Sequence, residues 1–285
     1  MKVAFTLTPS ESRRLIAKGV VQMPEVKAAL EKAYVILPGS TINAFIIQEL
    51  LGRDVVPARY TAGIVTHRLL CVTNPGDRDP SIPTILYKGQ VVNKTIREAL
   101  DDFHKETVVI KGANAIDPQG NVGVITSGFD GGTVAAIIGT MTSQGLKLIA
   151  AVGLEKMVAS VPASTRYTGA KTLDYTLGAD FGMYCLTNAL PVTEIEALKI
   201  LCDVQAVHVA SGGVGGTEGA VVLVVMGEEE NVRKAIALIE SIKGEEPVRP
   251  LKGTCEICKY ACKFAGLKEE ELPAWLQRTE FDVVV

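Results

Sequence analysis

A chain of 285 residues has room for one large domain and a small one. Hydrophobic residues at 47% and charged residues at 21% exclude wholesale disorder, and a formal net charge of −3 offers no basic surface for nucleic acid. No run of about 18 uncharged apolar residues and no signal-peptide pattern is present, so no membrane partner and a cytoplasmic location are expected.

In chain order, Lys2 to Thr8 reads as an opening strand. Thr8-Pro9-Ser10-Glu11 then starts a helix, with Thr8 or Ser10 as its cap and Arg13-Arg14 on its exposed face. Met23-Pro24-Glu25 starts a second helix that ends near Lys32, because proline at the first helical position loses no hydrogen bond. Tyr34 to Leu37 is a buried strand, and Pro38-Gly39-Ser40-Thr41 leads from it into an apolar helix over 42–51. A strand–Gly-Ser-Thr–helix junction can cradle an anion through free N–H groups, two hydroxyls and the helix dipole; it can equally be an ordinary helix cap. Strands are expected over 60–72 and 84–92, joined by a polar loop, and a helix over 96–104.

The stretch 107–158 carries the densest chemistry: strand, glycine-rich loop, helix, strand, loop. Val108-Val109-Ile110 is followed at its carboxyl end by Lys111-Gly112-Ala113-Asn114, and Asp117-Pro118-Gln119-Gly120-Asn121 is turn chemistry. Asp130-Gly131-Gly132-Thr133 opens a helix, and the strand over 148–152 ends in Gly153-Leu154-Glu155-Lys156. Ligands of open α/β sheets bind outside the carboxyl ends of the strands, which makes these loops the expected site. Strands alternating with helices, and aromatic content of only 5%, predict a largely parallel sheet covered by helices on both faces. Downstream, strands at 182–186, 206–210, 220–226 and 247–251 with amphipathic helices at 192–202 and 230–242 give the order βαββαβ of a ferredoxin-like α+β domain. The expected organisation is therefore an α/β domain over 1–165, a ferredoxin-like domain over 182–251 and a cysteine-bearing helical tail over 252–285. Such small sheets often pair, so a homodimer is expected.

The segments Gly112-Ala113-Asn114-Ala115-Ile116, Gly120 and Asp130-Gly131-Gly132-Thr133 resemble the motif of the LUD (lactate-utilisation) domain. That domain belongs to the superfamily of ribose-5-phosphate isomerases, glucosamine-phosphate deaminases, sugar-sensing repressor domains and CoA transferases. Val152 to Val158 is similar to the family's strand followed by a glycine and a lysine, and Gly39-Ser40-Thr41 to the phosphate loop of the sugar-phosphate isomerases. The resemblance covers residues 30–160 and implies an isomerase/CoA-transferase-like fold. Departures matter as much. Where the isomerases carry two aspartates this chain has Lys111 and Asn114, only Asp117 keeps a carboxylate, and 131–139 holds no acid or lysine. An amide cannot act as a carboxylate base, so isomerisation by that route is not expected. No matching nucleophilic glutamate and no G-x-G-x-x-G fingerprint is found either.

The candidate ligand-binding residues are Gly39, Ser40, Thr41, Lys111, Gly112, Asn114, Asp130, Gly131, Gly132 and Thr133, and the candidates for proton transfer are Lys156 and Asp117. Asp117 reads equally as a structural turn residue. The glycine cluster 212–219, with Glu218, reads as a flexible hairpin or a phosphate nest. Six cysteines do not suggest a secreted disulfide scaffold, but Cys255, Cys258 and Cys262 form C-x2-C-x3-C, three thiols where zinc and iron–sulfur sites use four ligands. The same spacing also fits buried cysteines on one face of a helix. The expected function is binding of a small anionic metabolite (a phosphosugar, nucleotide or acyl-CoA). A non-catalytic sensor or assembly protein and a metal-bearing redox accessory are the competing classes.

Overall fold

The structure is a computed structural model that describes residues 1–128, 130–249 and 251–278. In chain order the elements begin with β1 (Lys2–Leu7), α1 (Pro9–Gln22), α2 (Pro24–Lys32), β2 (Tyr34–Leu37) and α3 (Thr41–Leu51). Two hairpins follow, β3 (Gly63–Thr66) with β4 (Leu69–Val72) and β5 (Thr84–Tyr87) with β6 (Gln90–Val91), then α4 (Ile96–Asp101). The central stretch gives β7 (Val108–Gly112), β8 (Ala115–Ile116), β9 (Val122–Thr126), α5 (Gly132–Gln144) and β10 (Lys147–Ala151). After α6 (Val161–Thr165) come β11 (Gly182–Leu186), β12 (Leu190–Val192), α7 (Glu194–Cys202), β13 (Gln205–Gly212), β14 (Ala220–Met226) and α8 (Glu229–Ile242).

The main sheet is mixed, in the order β12-β10-β7-β2-β5-β6. The β12–β10, β10–β7 and β7–β2 pairings are parallel, whereas β2–β5 and β5–β6 are antiparallel. Alternation along each strand explains why it is buried on both faces. Val35, Leu37, Val108, Ile110, Ile149 and Ala151 point to one core with α1, α2 and α3. Tyr34, Ile36, Val109, Leu148 and Ala150 point to the other, with Val134, Ile137 and Met141 of α5. These residues are at most 4% exposed, and each large side chain so buried contributes about 1.5–3 kcal/mol.

The helix starts follow their caps. Thr8 and Glu11 form a reciprocal capping box on α1, and Ser40 Oγ accepts the Asn43 N–H at the start of α3. The strands expected over 60–72 fold instead as a separate two-stranded ribbon, β3–β4.

The strand pairing expected for a ferredoxin-like unit over 182–251 is not the one observed. β11 leaves for a third small sheet, β11-β9-β8, where it pairs antiparallel with β9. The hairpin β13–β14 instead takes its third strand from the amino terminus, with β1 antiparallel to β14 from Lys2↔Met226 to Leu7↔Val221. No strand forms at 247–251 among the described residues; Pro250 lies outside them. The physical reason is non-local: β14 presents Val221, Leu223 and Val225 to a core that also holds Leu7 of β1 and Leu15 of α1, so the amino-terminal segment is drawn to this sheet.

The cysteine-bearing segment also departs from expectation. Its described part forms two 3-10 turns, Cys255–Ile257 and Glu269–Glu271, within irregular chain rather than an α-helix, and residues 279–285 lie outside the described residues. It packs Phe264, Leu272 and Leu276 on Leu69 of β4, and the fully buried Lys252 holds Glu269 at 3.2 Å.

Helix α1 joins the two larger layers. It lies against α3 by one side and crosses α7 by another, where a Cβ on Gly19 would come within 2.7 Å of Ala197 Cβ and 2.8 Å of its Cα. Backbone cannot retreat as a flexible side chain can. Gly19→Val is therefore expected to lower the unfolding free energy by about 1–3 kcal/mol in a denaturant titration. The exposed Gly139 in α5 has open space around it, so Gly139→Ala is expected to raise stability by about 0.5–1 kcal/mol in the same assay.

Candidate functional site

The parallel strands β2, β7 and β10 end their carboxyl termini on one side of the main sheet, and a cleft of about 930 Å3 opens there. Gly39, Ser40, Thr41, Lys111, Gly112, Asn114, Asp130, Gly131, Gly132, Thr133 and Lys156 all line it. The first and second loops are locked together by Asn43, a fully buried side chain whose Nδ2 donates to Pro38 O at 2.7 Å and to Ile110 O at 2.8 Å. Gly112 is required by that proximity, since a Cβ there would sit 2.8 Å from Ser40 Cβ. At Gly131, the left-handed φ of 72° suits glycine, and a side chain would run into the Tyr184 hydroxyl.

The donors that face the cleft differ in how far they are already used. Ser40 Oγ is committed to capping α3. Helix α5 starts at Gly132, with Gly131 as an N-cap that has no side chain to give; the Gly131 N–H is taken by Gly128 O and that of Gly132 by Asp130 Oδ1, both at 3.0 Å, which leaves the next N–H groups of the first turn for a ligand. Asn114 Oδ1 accepts the Ile125 N–H at 2.9 Å and so bridges β7 to β9, which leaves its amide nitrogen as a donor. Lys156 Nζ donates to Ala113 O at 2.9 Å.

Asp117 does not belong to this site. It is 2% exposed, is absent from the cleft lining and accepts from the backbone N–H of Gln119, Asn121 and Val161 and from Asn121 Nδ2. Burial raises its pKa, but these hydrogen bonds outweigh it and hold the carboxyl below its ordinary range. A carboxylate with four protein donors is a turn anchor and not a free base, because its lone pairs are already committed.

Four cations line the cleft: Arg13, Lys111, Lys156 and Arg78, the last of which donates to Thr73 O. Arg13, expected on an exposed helix face, instead turns inward. Its pKa is lowered by burial, against the opposing pull of Glu155 and Glu194. Burial likewise lowers Lys156, with Glu155 opposing and Arg13 adding to the shift. Lys111 is brought down to about 8, first by burial and then by the charge of Lys156. Among the described residues neither the Arg13 nor the Lys111 side chain makes a hydrogen bond or an ion pair.

Behind the cations lies Glu194, the fully buried first residue of α7. Its Oε2 accepts the Leu154 N–H at 3.0 Å, while its Oε1 has no well-placed donor and the nearby Ser12 hydroxyl only slightly offsets the cost. Burial, and next the charge of Glu155, push its pKa up to about 7. Neither Glu155 nor Glu194 stands out in the sequence. The available signal was the polar run Ser10 to Arg14, which follows β1 just as Gly39-Ser40-Thr41 follows β2.

The cysteines sit apart from these groups. Cys255, Cys258 and Cys262 line a second cavity of about 380 Å3, and β4 adds Cys71 to it. Among the described residues no three Cys, His, Asp or Glu side chains are gathered tightly enough to hold a metal ion as they stand. No described helix is long and apolar enough to cross a membrane. Comparison with known proteins finds no family model, no curated protein and no solved structure that matches this chain.

The raised Glu194 pKa has a definite pH signature. A folded-state pKa above the unfolded 4.5 means that the native protein binds the extra proton, so this stabilisation is full below pH 4.5 and is lost as pH rises through about 7. Glu194→Gln, which stays neutral beside Glu155, is expected to lose less stability between pH 5 and pH 8 than the wild type. Denaturant midpoints measured across that range test it, and parallel pH profiles for the two proteins would refute it.

Proposed function

We propose that the cleft binds a small anionic metabolite: a phosphosugar, a nucleotide or an acyl-CoA. One observation carries this reading. Every carboxylate in the lining is already paired or hydrogen-bonded, while two of its cations, Arg13 and Lys111, have no side-chain hydrogen bond or ion pair among the described residues. Glu11 is held by Lys243, Glu245 by Arg14, Asp130 by the Gly132 N–H and Glu218 by the Gly216 N–H. Arg13 and Lys111 keep their full donor capacity, and the N-termini of α3 and α5 add partial positive charge on the same side. A partly desolvated cleft of this size with two cations lacking a side-chain partner suits a phosphorylated ligand better than a neutral one.

In this reading the uncapped start of α5 and the loop Gly39-Ser40-Thr41 receive the anion, and Arg13 and Lys111 neutralise it. Lys156 is a positioning residue, tied to Ala113 O and shaping the wall between the strand ends. The parallel strands with ligand-facing loops at their carboxyl ends also support the finer proposal of an isomerase/CoA-transferase-type architecture for the larger sheet.

The competing reading is a non-catalytic sensor or accessory protein, and the commitment of Asp117 to its turn favours it, since no free carboxylate base then lines the cleft. If the cleft does move a proton, Lys111 is the group placed for it, because a lysine brought to about 8 is partly neutral near physiological pH.

A thermal-shift screen of phosphosugars, nucleotides and CoA esters tests the binding. A ligand at about 100 times its Kd adds about 2.7 kcal/mol of stability. Arg13→Met and Lys111→Met are each expected to weaken binding of the responding ligand at least tenfold, whereas Asp117→Asn lowers stability and leaves affinity within about twofold. If no anion stabilises the wild type, the binding reading fails. Turnover assays on the responding ligand then separate enzyme from sensor.

A further inference from the structure

We propose that Cys71, Cys255, Cys258 and Cys262 together ligate a tetrathiolate metal centre, either a zinc ion or an iron–sulfur cluster. The sequence offers only three thiols at C-x2-C-x3-C, one short of a closed tetrahedral set. The tertiary fold supplies the fourth. Cys71 lies on β4, far away in sequence, yet it lines the same cavity of about 380 Å3 as the three tail cysteines.

The local backbone fits this role. The 3-10 turn at Cys255–Ile257 closes with the Cys258 N–H on Cys255 O at 3.0 Å, and the Gly266 N–H reaches the same carbonyl at 2.8 Å. A turn of this kind sets the two thiols of a C-x2-C pair side by side. The Ala265 N–H donates to Cys262 O at 3.1 Å and so holds the third cysteine in a turn of its own. All four cysteines are free and half-buried. Once ionised, four thiolates in this largely apolar cavity would need a bound cation, since Lys252 and Lys259 at its wall would supply only part of the compensating charge.

Stability gives an independent argument. The described part of the tail has no α-helix or strand, and its buried core consists of Leu69, Phe264, Leu272 and Leu276. A loop-rich segment with so small a core is the kind of unit that proteins cross-link with a metal. The sulfurs are not drawn together in this structure, and the Cys262 thiol donates to Leu177 O at 3.1 Å. Side-chain rotation must therefore close the four thiols on the centre, each releasing its proton as it binds. Leu70, Cys71, Val72, Arg78 and Tyr260 line both this cavity and the anion cleft, so the centre would stiffen one wall of the cleft. The assignment does not depend on the anion-binding reading.

The full-length protein, purified without oxygen from cells supplied with iron and zinc, tests this directly. Elemental analysis and acid-labile sulfide are expected to give about one zinc per chain, or about four irons with matching sulfide and a visible absorption. Either result supports the centre and tells the two forms apart. Cys71→Ser is expected to lose at least about tenfold in metal retention against a competing chelator, whereas Cys185→Ser, whose thiol lines neither cavity, retains the wild-type content. Should Cys71→Ser fold poorly, alkylation of the wild type read by mass spectrometry is the second measure. Cys71, Cys255, Cys258 and Cys262 are then expected to be protected until a chelator is added. The proposal is overturned if the wild type holds no stoichiometric metal even after reconstitution, if Cys71→Ser keeps its full complement, or if Cys71 labelling ignores the chelator.

Discussion

Two carbonyls just past the last paired residues of the parallel strands β2 and β7, those of Pro38 and Ile110, are both satisfied by one buried amide, Asn43 Nδ2. Much of the cleft depends on this. Where neighbouring strands end, their last carbonyls lose ladder partners, and leaving them unpaired in the core would cost roughly 1–3 kcal/mol each. By spanning them, Asn43 fixes the start of α3 over the end of β7 and sets Gly39-Ser40-Thr41 beside Lys111-Gly112. The close approach of Gly112 to Ser40 follows from that contact, and it explains why a residue without a side chain occupies the last position of β7. Tyr60 extends the same scaffold, since its hydroxyl donates to Leu37 O and accepts the Thr84 N–H, which joins β2 and β5 beneath the cleft.

Charge at the cleft is arranged in depth. Of the acids that line it, Glu11 and Glu245 are paired with Lys243 and Arg14 and Asp130 and Glu218 accept backbone N–H groups, while the carboxylates Glu155 and Glu194 oppose the effect of burial on Arg13 and Lys156. Burial penalises all these charges, so each group's ionisation depends on its neighbours: Glu194 is pushed up to about 7 and Lys111 down to about 8. An anion entering the cleft would favour the charged lysine and therefore bind most strongly where Lys111 is protonated. The network and the proposed ligand site would in that sense be one electrostatic unit.

Helix α1 is the mechanical link between layers. Its Ile16 and Val20 enter the core of the main sheet, Leu15 enters the core beneath β1 and β14, and Gly19 allows close contact with α7. Its first turn brings Arg13 to the cleft. One amphipathic helix thus serves two cores and the site, which is why its polar N-terminal residues, Ser10, Glu11 and Ser12, are buried rather than solvated.

By itself the sequence determined the local pieces: the apolar runs that became β2, β7 and β10, the caps at Thr8 and Ser40, and the strand-end loops in which Lys111, Gly112, Asn114, Gly131, Gly132, Thr133 and Lys156 sit. These are set by propensities and periodicities that act within a few residues, and for that reason they are legible one-dimensionally. What only the tertiary structure decided was which pieces meet. The pairing of β1 with β14, the departure of β11 to β9, the inward turn of Arg13, the enclosure of Asp117 by four donors and the approach of Cys71 to the tail cysteines all depend on contacts between distant segments. Such contacts are selected by shared burial and hydrogen-bond satisfaction across the whole core, and no local pattern encodes them.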